Sequence, residues 1–408
     1  MARLLDGIRV IDAASFIAGP VATTVMADFG ADVIKVEPPG GDTYRTRGAG
    51  YPASDVNFPW IVDNRSKRGV AIDLRAEDGQ RVLHRLVRTA DVFVTNVPLD
   101  NRERLRVRYE DLAPLNPRLI YASVTAYGET GEEAAKPGFD STALWARTGL
   151  MDLVRPSSDA PPTRSLPGMG DHPTGMSLFG AIMAALYQRE RTGHGSMVAT
   201  SLMANGLWWN AIQVQGILCG ARTEIRPPRE ESPNALSNHY RCRDGRWFLM
   251  AHTADERRWE PFASAIGCGD LVADPRFVTL KSRRTHARAL TAILDEVFAK
   301  RDWDEWRGVL EATGVAVGVV ATLDDIPRDA QMRASGALIP IADPRAGAGL
   351  TVNSPVSIAG QEKVPPGMAP GIGEHTVEVL RAAGVSEAEI ARLLDAGVIV
   401  QGDVPAAG

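Results

Sequence analysis

The segment Gly170–Gly175 puts one acidic side chain where a helix is expected to begin. It reads Gly-Asp-His-Pro-Thr-Gly, and residues 176–187 after it carry no charge. Pro173 fits the first turn of a helix, because its missing N–H would have no partner there. The free N–H groups and the dipole of this helix are expected to hold the Asp171 carboxylate ionised. An accessible, ionised carboxylate beside glycine can act as a nucleophile.

A simple helix cap is the alternative interpretation of Asp171. Aspartate is among the preferred N-cap residues, and most starts of this kind are only caps. His172 could serve as an acid or a base, although a histidine at a helix start more often faces solvent. Taken alone, the six residues favour the cap, so the rest of the chain has to decide between the two interpretations.

Short motifs spread in order over most of the chain provide that decision. They occupy residues 5–12, 18–20, 28–38, 64–68, 91–96, 116–124, 189–195 and 369–376. In this order they resemble the family III CoA-transferases, which include formyl-CoA transferase and carnitine CoA-transferase, and the related alpha-methylacyl-CoA racemases. The resemblance implies that Asp171 is the catalytic nucleophile.

The activity that the resemblance implies is the transfer of CoA from an acyl-CoA donor to a carboxylic acid. The reaction would pass through an aspartyl anhydride and an aspartyl-CoA thioester, which divide a hard exchange into easier steps. Acyl-CoA and a small carboxylic acid are therefore the expected partners. Coenzyme A would act as a substrate, and no tightly bound cofactor is expected.

The resemblance also assigns residues to the CoA site. They are Ile17, Ala18, Ile72, Asn96, Arg104 and Lys136. Asn96 follows a predicted strand, where ligands of parallel sheets tend to bind, but its amide could equally satisfy local backbone. As isolated cations, Arg104 and Lys136 would be solvated. Pro38 stands where related transferases often have a basic residue, which puts the adenine contacts there in doubt.

Two other activities remain as alternatives. A racemase or isomerase of the same fold needs a base on each side of the α-carbon, and the matching racemase histidine is replaced here by Phe139, which cannot accept a proton. His172 is the alternative source of that base. The opening strand–helix–strand unit could belong to a nicotinamide-dependent oxidoreductase, but Gly19-Pro20 lacks the GxGxxG spacing. A third alternative is a protein that binds CoA without catalysing a reaction.

The composition is that of an ordinary enzyme, with 44% hydrophobic and 23% charged residues. The net charge of −5 argues against nucleic acid or an anionic membrane as the main partner. Cys219, Cys242 and Cys268 have neither the spacing nor the number of a disulfide or zinc framework, so we expect reduced thiols in a cytoplasmic protein and no metal. No signal peptide or membrane span is expected.

The hydrophobic pattern predicts an α/β protein of 408 residues with more than one domain. Apolar, β-branched runs predict parallel strands at 8–12, 32–36, 70–74, 92–95, 119–124 and 197–201. The expected helices of this part are 20–29, 77–90, 140–150, 173–191 and 202–218. Trp208 and Trp209, on the last of them, are expected to be core.

A proline-rich stretch after residue 222 marks a change of domain. We predict a Rossmann-like parallel-sheet domain over 1–222, a smaller α+β domain over 223–330 and a return to the large domain over 331–408. The resemblance implies that this last part completes the large domain, and that two chains interlock as a homodimer.

Overall fold

The computed structural model describes residues 3–46, 54–222, 227–251 and 256–403. The strands in this part are β1 Arg9–Ala13, β2 Asp32–Glu37, β3 Arg68–Ile72, β4 Val92–Thr95, β5 Ile120–Thr125, β6 Met197–Ser201, β7 Ser237–Arg241, β8 Trp247–Ala251, β9 Ala316–Val319, β10 Leu338–Pro340, β11 Leu350–Val352 and β12 Ile399–Val400. The α-helices are α1 Ala18–Asp28, α2 Phe58–Asn64, α3 Glu77–Val87, α4 Leu99–Leu105, α5 Tyr109–Leu112, α6 Leu150–Leu153, α7 Asp171–Thr192, α8 Leu202–Trp209, α9 Ala211–Leu218, α10 Trp259–Ala265, α11 Leu280–Thr285, α12 Ala287–Phe298, α13 Trp303–Ala312, α14 Ala330–Ala334, α15 Thr376–Ala382 and α16 Glu387–Asp395.

The chain divides into two compact units, the first made of residues 1–151, 164–222 and 330–408. Its main sheet has the strand order β12-β3-β2-β1-β4-β5-β6. Neighbours from β3 to β6 are parallel, whereas β12 pairs antiparallel with β3. The large parallel-sheet core expected from the sequence is therefore confirmed.

Helices cover both faces of this sheet. Along β4, Val92 and Val94 pack in one core cluster with residues of α1 and α7, while Phe93 packs in another with residues of α3, α15 and α16. This alternation is expected because successive side chains of a strand point to opposite faces. Continuous apolar strands such as β4 are typical of sheets that are buried on both sides.

The second unit comprises residues 152–163 and 223–329. In it, β7, β8 and β9 form an antiparallel sheet. Its core contains large aromatic side chains, among them Phe248, Phe298 and Trp306. Residues 152–163 belong to this unit by their contacts, which the sequence pattern does not indicate.

Two helical predictions were wrong in detail. The helix expected over 202–218 is interrupted at Asn210, whose side-chain amide donates to the carbonyl of Thr148 at 3.1 Å. Residues Asp140–Ala146 form a π-helix instead of an α-helix. Trp208 and Trp209, expected in the core, are 79% and 39% exposed, so that prediction was wrong as well. Across the described residues, we found no helix with the length and apolar character that a membrane crossing requires.

Candidate active site at the start of α7

Asp171 is the first residue of α7, with Gly170 at the N-cap, so the predicted helix start is confirmed. The helix lies very close to α1, because a Cβ on Gly175 would come within 2.8 Å of the carbonyl oxygen of Ala18. The chain leaves α7 and enters β6, which runs parallel to β5. Since such a crossover helix runs opposite to the strands, its start faces their carboxyl ends, where ligands of α/β proteins bind.

The turn before Asp171 is held by the buried carboxylate of Asp140. Asp140 begins the π-helix, and its Oδ2 accepts hydrogen bonds from the backbone N–H groups of Gly168 at 3.0 Å and Gly170 at 3.3 Å. A Cβ on Gly170 would lie 2.9 Å from Leu144 and 3.0 Å from the Cβ of Asp140. Glycine is therefore required for the close approach that brings Asp171 beside Asp140.

A third carboxylate reaches the site from α2. Asp63 is buried, and its Oδ1 lies 2.9 Å from Nε2 of His172. The Tyr44 hydroxyl donates to its Oδ2 at 2.8 Å. His172 is thus not simply a solvent-facing histidine, although half of its side chain is exposed. The contact joins residues 109 positions apart, and no local motif signals it.

The Asp171 carboxyl is not held ionised, contrary to the expectation from its helix position. Burial, together with the charges of Asp140 and Asp63, raises its pKa to about 8, although the charge of His172 lowers it. None of the described residues donates a hydrogen bond to this carboxylate. Desolvation and two like charges therefore outweigh the helix terminus. Above its pKa the side chain is a free carboxylate with part of its surface open.

The pKa of His172 is raised as well, but for a different reason. Although burial lowers its pKa, the hydrogen bond to Asp63 and the charges of Asp63 and Asp171 raise it above the ordinary value. The site therefore favours an imidazolium beside a carboxyl group. This pairing is of a kind that occurs at catalytic centres.

Two aromatic side chains lie next to these groups. Phe139 directly precedes Asp140, is 51% exposed and meets Phe16 edge-on, with the ring centroids 5.6 Å apart. Phe16 adopts a left-handed backbone conformation with φ of 61°, which is costly for a residue with a bulky side chain. The described polar groups of the site are therefore flanked by apolar surface.

The residues expected to contact CoA differ in burial and in the contacts that their side chains make. Ile17 and Ala18 lie at the start of α1, largely buried, and Ile72 ends β3 with its side chain in the core. Both amide atoms of Asn96 are engaged with the backbone of Ser15, each at 2.8 Å. The side chain of Asn96 thus satisfies local backbone groups, which is the alternative considered for it above.

The two expected cations are exposed. Lys136 pairs with Glu133 at 2.8 Å, and Arg104 lies 3.5 Å from the side-chain oxygen of Asn101. The neighbouring Arg102 is buried instead, bound to Ser123 at 2.8 Å and to Glu129 at 3.2 Å. The sequence does not single out Arg102, because its partners come from a different strand and loop. Within the described ranges, no cluster of metal-ligating side chains occurs.

Comparison with known proteins identifies the family to which the chain is similar. The model of CoA-transferase family III matches residues 5–376. The (R)-2-hydroxy-4-methylpentanoate CoA-transferase of Clostridioides difficile is 32% identical over 399 residues, which cover 97% of this chain and 99% of that protein. The cinnamoyl-CoA:phenyllactate CoA-transferase of Clostridium sporogenes is 31% identical over 396 residues, 96% of each chain.

A solved structure has the same fold. The CAIB/BAIF family protein from Brucella suis superposes with a TM-score of 0.83 and 29% sequence identity. The alignment covers 94% of this chain and all of that one, 100%. The agreement therefore extends over nearly the whole chain and does not stop at the parallel sheet.

Proposed function

The chain belongs to CoA-transferase family III, and on that premise we propose that Asp171 is the nucleophile of its reaction. The enzyme transfers CoA from an acyl-CoA to a carboxylic acid, as the similarity to CoA-transferases over almost its full length supports. One observation carries the assignment of the nucleophile. The Asp171 carboxyl starts a helix at the carboxyl edge of the sheet, next to a turn fixed by Asp140, and it is itself free of hydrogen bonds from the described residues.

In the first half-reaction, a carboxylate oxygen of Asp171 attacks the thioester carbonyl of the donor. The C–S bond breaks, and CoA leaves as a thiolate while a mixed anhydride forms. The thiolate then attacks the aspartyl carbonyl of the anhydride, which gives an aspartyl-CoA thioester and releases the donor acid as a carboxylate. No step consumes or produces a redox equivalent.

In the second half-reaction, the incoming carboxylate attacks the aspartyl-CoA thioester and expels the thiolate. The thiolate adds to the acyl carbonyl of the new anhydride, so that the acyl-CoA product forms and Asp171 is regenerated. Each tetrahedral oxyanion needs donors fixed in advance. In the first turn of α7, His172 and Thr174 donate their N–H groups to the carbonyls of Gly168 and Gly170, and Pro173 has no N–H. The backbone N–H of Asp171 is therefore the donor that this described turn leaves for an oxyanion.

We place CoA along the carboxyl edge of the parallel sheet. Ile17 and Ala18 would border the ligand at the start of α1, and Ile72 and Asn96 would approach it through backbone atoms, because their side chains are otherwise engaged. Arg104 and Lys136 are exposed and could reach the phosphates. CoA enters and leaves as a substrate, without a tightly bound cofactor, in a cytoplasmic enzyme.

The working form is proposed to be a homodimer. On α8 and α9, Trp208 is 79% exposed, Ile212 86% and Leu218 74%. Several large apolar side chains exposed on two consecutive helices are typical of an interaction surface. A second copy of the chain is the occupant that the resemblance implies.

A racemase is the alternative of the same fold, and Phe139 argues against it. This residue lies beside Asp140 and offers no atom that can take a proton. His172 is tied through Nε2 to Asp63, which leaves only its Nδ1 for proton transfer. The named relatives, moreover, are transferases.

The experiment offers acetyl-CoA and succinyl-CoA with a panel of acids, including phenyllactate and 2-hydroxy-4-methylpentanoate, in deuterium oxide. Product mass spectrometry should show a new CoA thioester. A 2-methylacyl-CoA incubated with the enzyme in the same solvent should gain no enzyme-dependent deuterium at its α-carbon. Asp171→Ala should lower transfer by several orders of magnitude. Rapid exchange without transfer, or near-normal transfer by the variant, would overturn the assignment.

A further inference from the structure

The surroundings of Asp171 pose a problem for the free-acid substrate. Two carboxyl groups, those of Asp140 and Asp63, lie close enough to Asp171 to raise the pKa of its carboxyl group. A second substrate that arrives as a carboxylate would be repelled by any of them that is ionised. A cation is needed nearby to bring that substrate to the aspartyl-CoA thioester.

His172 is the cation that the described residues offer there. Its charge lowers the pKa of Asp171, whereas the charges of Asp140 and Asp63 raise it. Arg65, which also acts on His172, is already bound to Asp28 through two hydrogen bonds of 2.9 and 2.7 Å. The Arg65 guanidinium is therefore occupied, whereas half of the His172 side chain is exposed.

The hydrogen bonds of His172 fix which ring nitrogen is available. Asp63 lies against Nε2, and both of its oxygens are occupied, one by His172 and the other by Tyr44. An ionised carboxylate only accepts, so Nε2 carries a proton. Among the described residues, none hydrogen bonds to Nδ1. Protonation of the ring therefore converts Nδ1 from an acceptor into a free N–H donor on the residue that follows the nucleophile.

We propose that the Nδ1–H of protonated His172 binds the carboxylate of the free-acid substrate, with Asp63 as the positioning residue that orients the ring. This inference rests on the proposed function, because it gives the second substrate a docking group next to Asp171. The same contact would receive the donor acid as it leaves. Charge-assisted hydrogen bonds to a carboxylate are among the strong ones in proteins.

Equilibrium binding is the appropriate measurement. Kinetic constants would not isolate binding of the acid. Because each half-reaction passes through the same transition states in both directions, kcat/KM for the donor and kcat/KM for the acid would change together. We would titrate the resting enzyme with phenyllactate and 2-hydroxy-4-methylpentanoate, with their neutral amides, and with free CoA. His172→Gln keeps an N–H near the Nε2 position but removes Nδ1 and the charge. His194→Gln, an exposed histidine beyond the other end of α7, is the matched control.

We expect His172→Gln to weaken binding of the acids by about ten- to a hundred-fold. Affinity for the amides and for CoA should stay within about two-fold of the wild type, and His194→Gln should behave as the wild type. Wild-type affinity for the acids should fall as the pH rises through the pKa of His172. In Asp63→Asn that fall should occur at lower pH, because the charge that raises the pKa is gone.

Three results would overturn the proposal. They are acid affinity that does not change in His172→Gln, an equal loss for acids and amides, and wild-type enzyme that binds none of these acids at pH 6.5. Failure of the proposed function is distinguishable from these, because it would appear as wild-type enzyme that forms no covalent adduct on Asp171 with an acyl-CoA donor alone.

Discussion

Replacement of Asp171 by asparagine is expected to stabilise the protein, increasingly so as the pH rises. The folded chain raises the pKa of Asp171 from 3.8 to about 8. Between these values the unfolded chain has released the proton while the folded chain still holds it, so the wild-type free energy of unfolding falls with pH. Asparagine has no such proton to hold, and it preserves the shape of the side chain.

The size of the effect follows from the linkage. From pH 5.5 to pH 8, about 2.5 pH units at about 1.36 kcal/mol per unit amount to roughly 3 kcal/mol at most. Asp171 keeps some accessible surface, so water screens part of its burial. We therefore expect the stability difference between Asp171→Asn and wild type to grow by about 1–3 kcal/mol over this range.

Urea unfolding of both proteins at equal concentration, every half unit of pH, measures this difference. Asp304→Asn is the control, because Asp304 is an exposed aspartate in the first turn of α13, where solvent already hydrates the carboxylate. Its difference from wild type should stay flat. A flat difference for Asp171→Asn, or a wild type that gains stability relative to it with rising pH, would refute the reasoning and favour an ionised helix cap.

Three further outcomes are expected. Asp140→Asn removes a charge that raises the pKa of Asp171, so the rise of kcat/KM for the donor with pH should move to lower pH; an unmoved profile would contradict the electrostatic coupling. Gly175→Ala forces a Cβ to 2.7 Å from Val21 and should cost about 1–3 kcal/mol in urea unfolding. Trp208→Lys should weaken self-association at least ten-fold in sedimentation, and an unchanged dimer would exclude this face.

The sequence predicts most of the parallel sheet, because its strands are short apolar runs whose type does not depend on distant partners. The run after Asp171 likewise predicts α7, which ends at Thr192 and is capped by Gly193 in a left-handed conformation with φ of 77°. The short helix α2 gives no comparable pattern. It starts where Asn57 accepts from the N–H of Trp60, and a single cap is a weak signal.

The electrostatics of the site could not be predicted from local patterns. The helix start favours an ionised Asp171, but the tertiary structure brings Asp140 and Asp63 close to it from two other segments. The same holds for His172, whose partner Asp63 lies on α2. Interactions between segments far apart in the chain decide these pKa values, and one sequence does not reveal which segments meet.

The central claim, a covalent intermediate on Asp171, is tested most directly by peptide mapping after incubation with an acyl-CoA donor alone. Hydroxylamine should convert the activated Asp171 to its hydroxamate, and borohydride should reduce the aspartyl thioester to an alcohol, each in the peptide that contains residue 171. The Asp171→Ala protein should carry neither mark. Label at another carboxylate, or turnover without any label on the wild-type enzyme, would contradict the account.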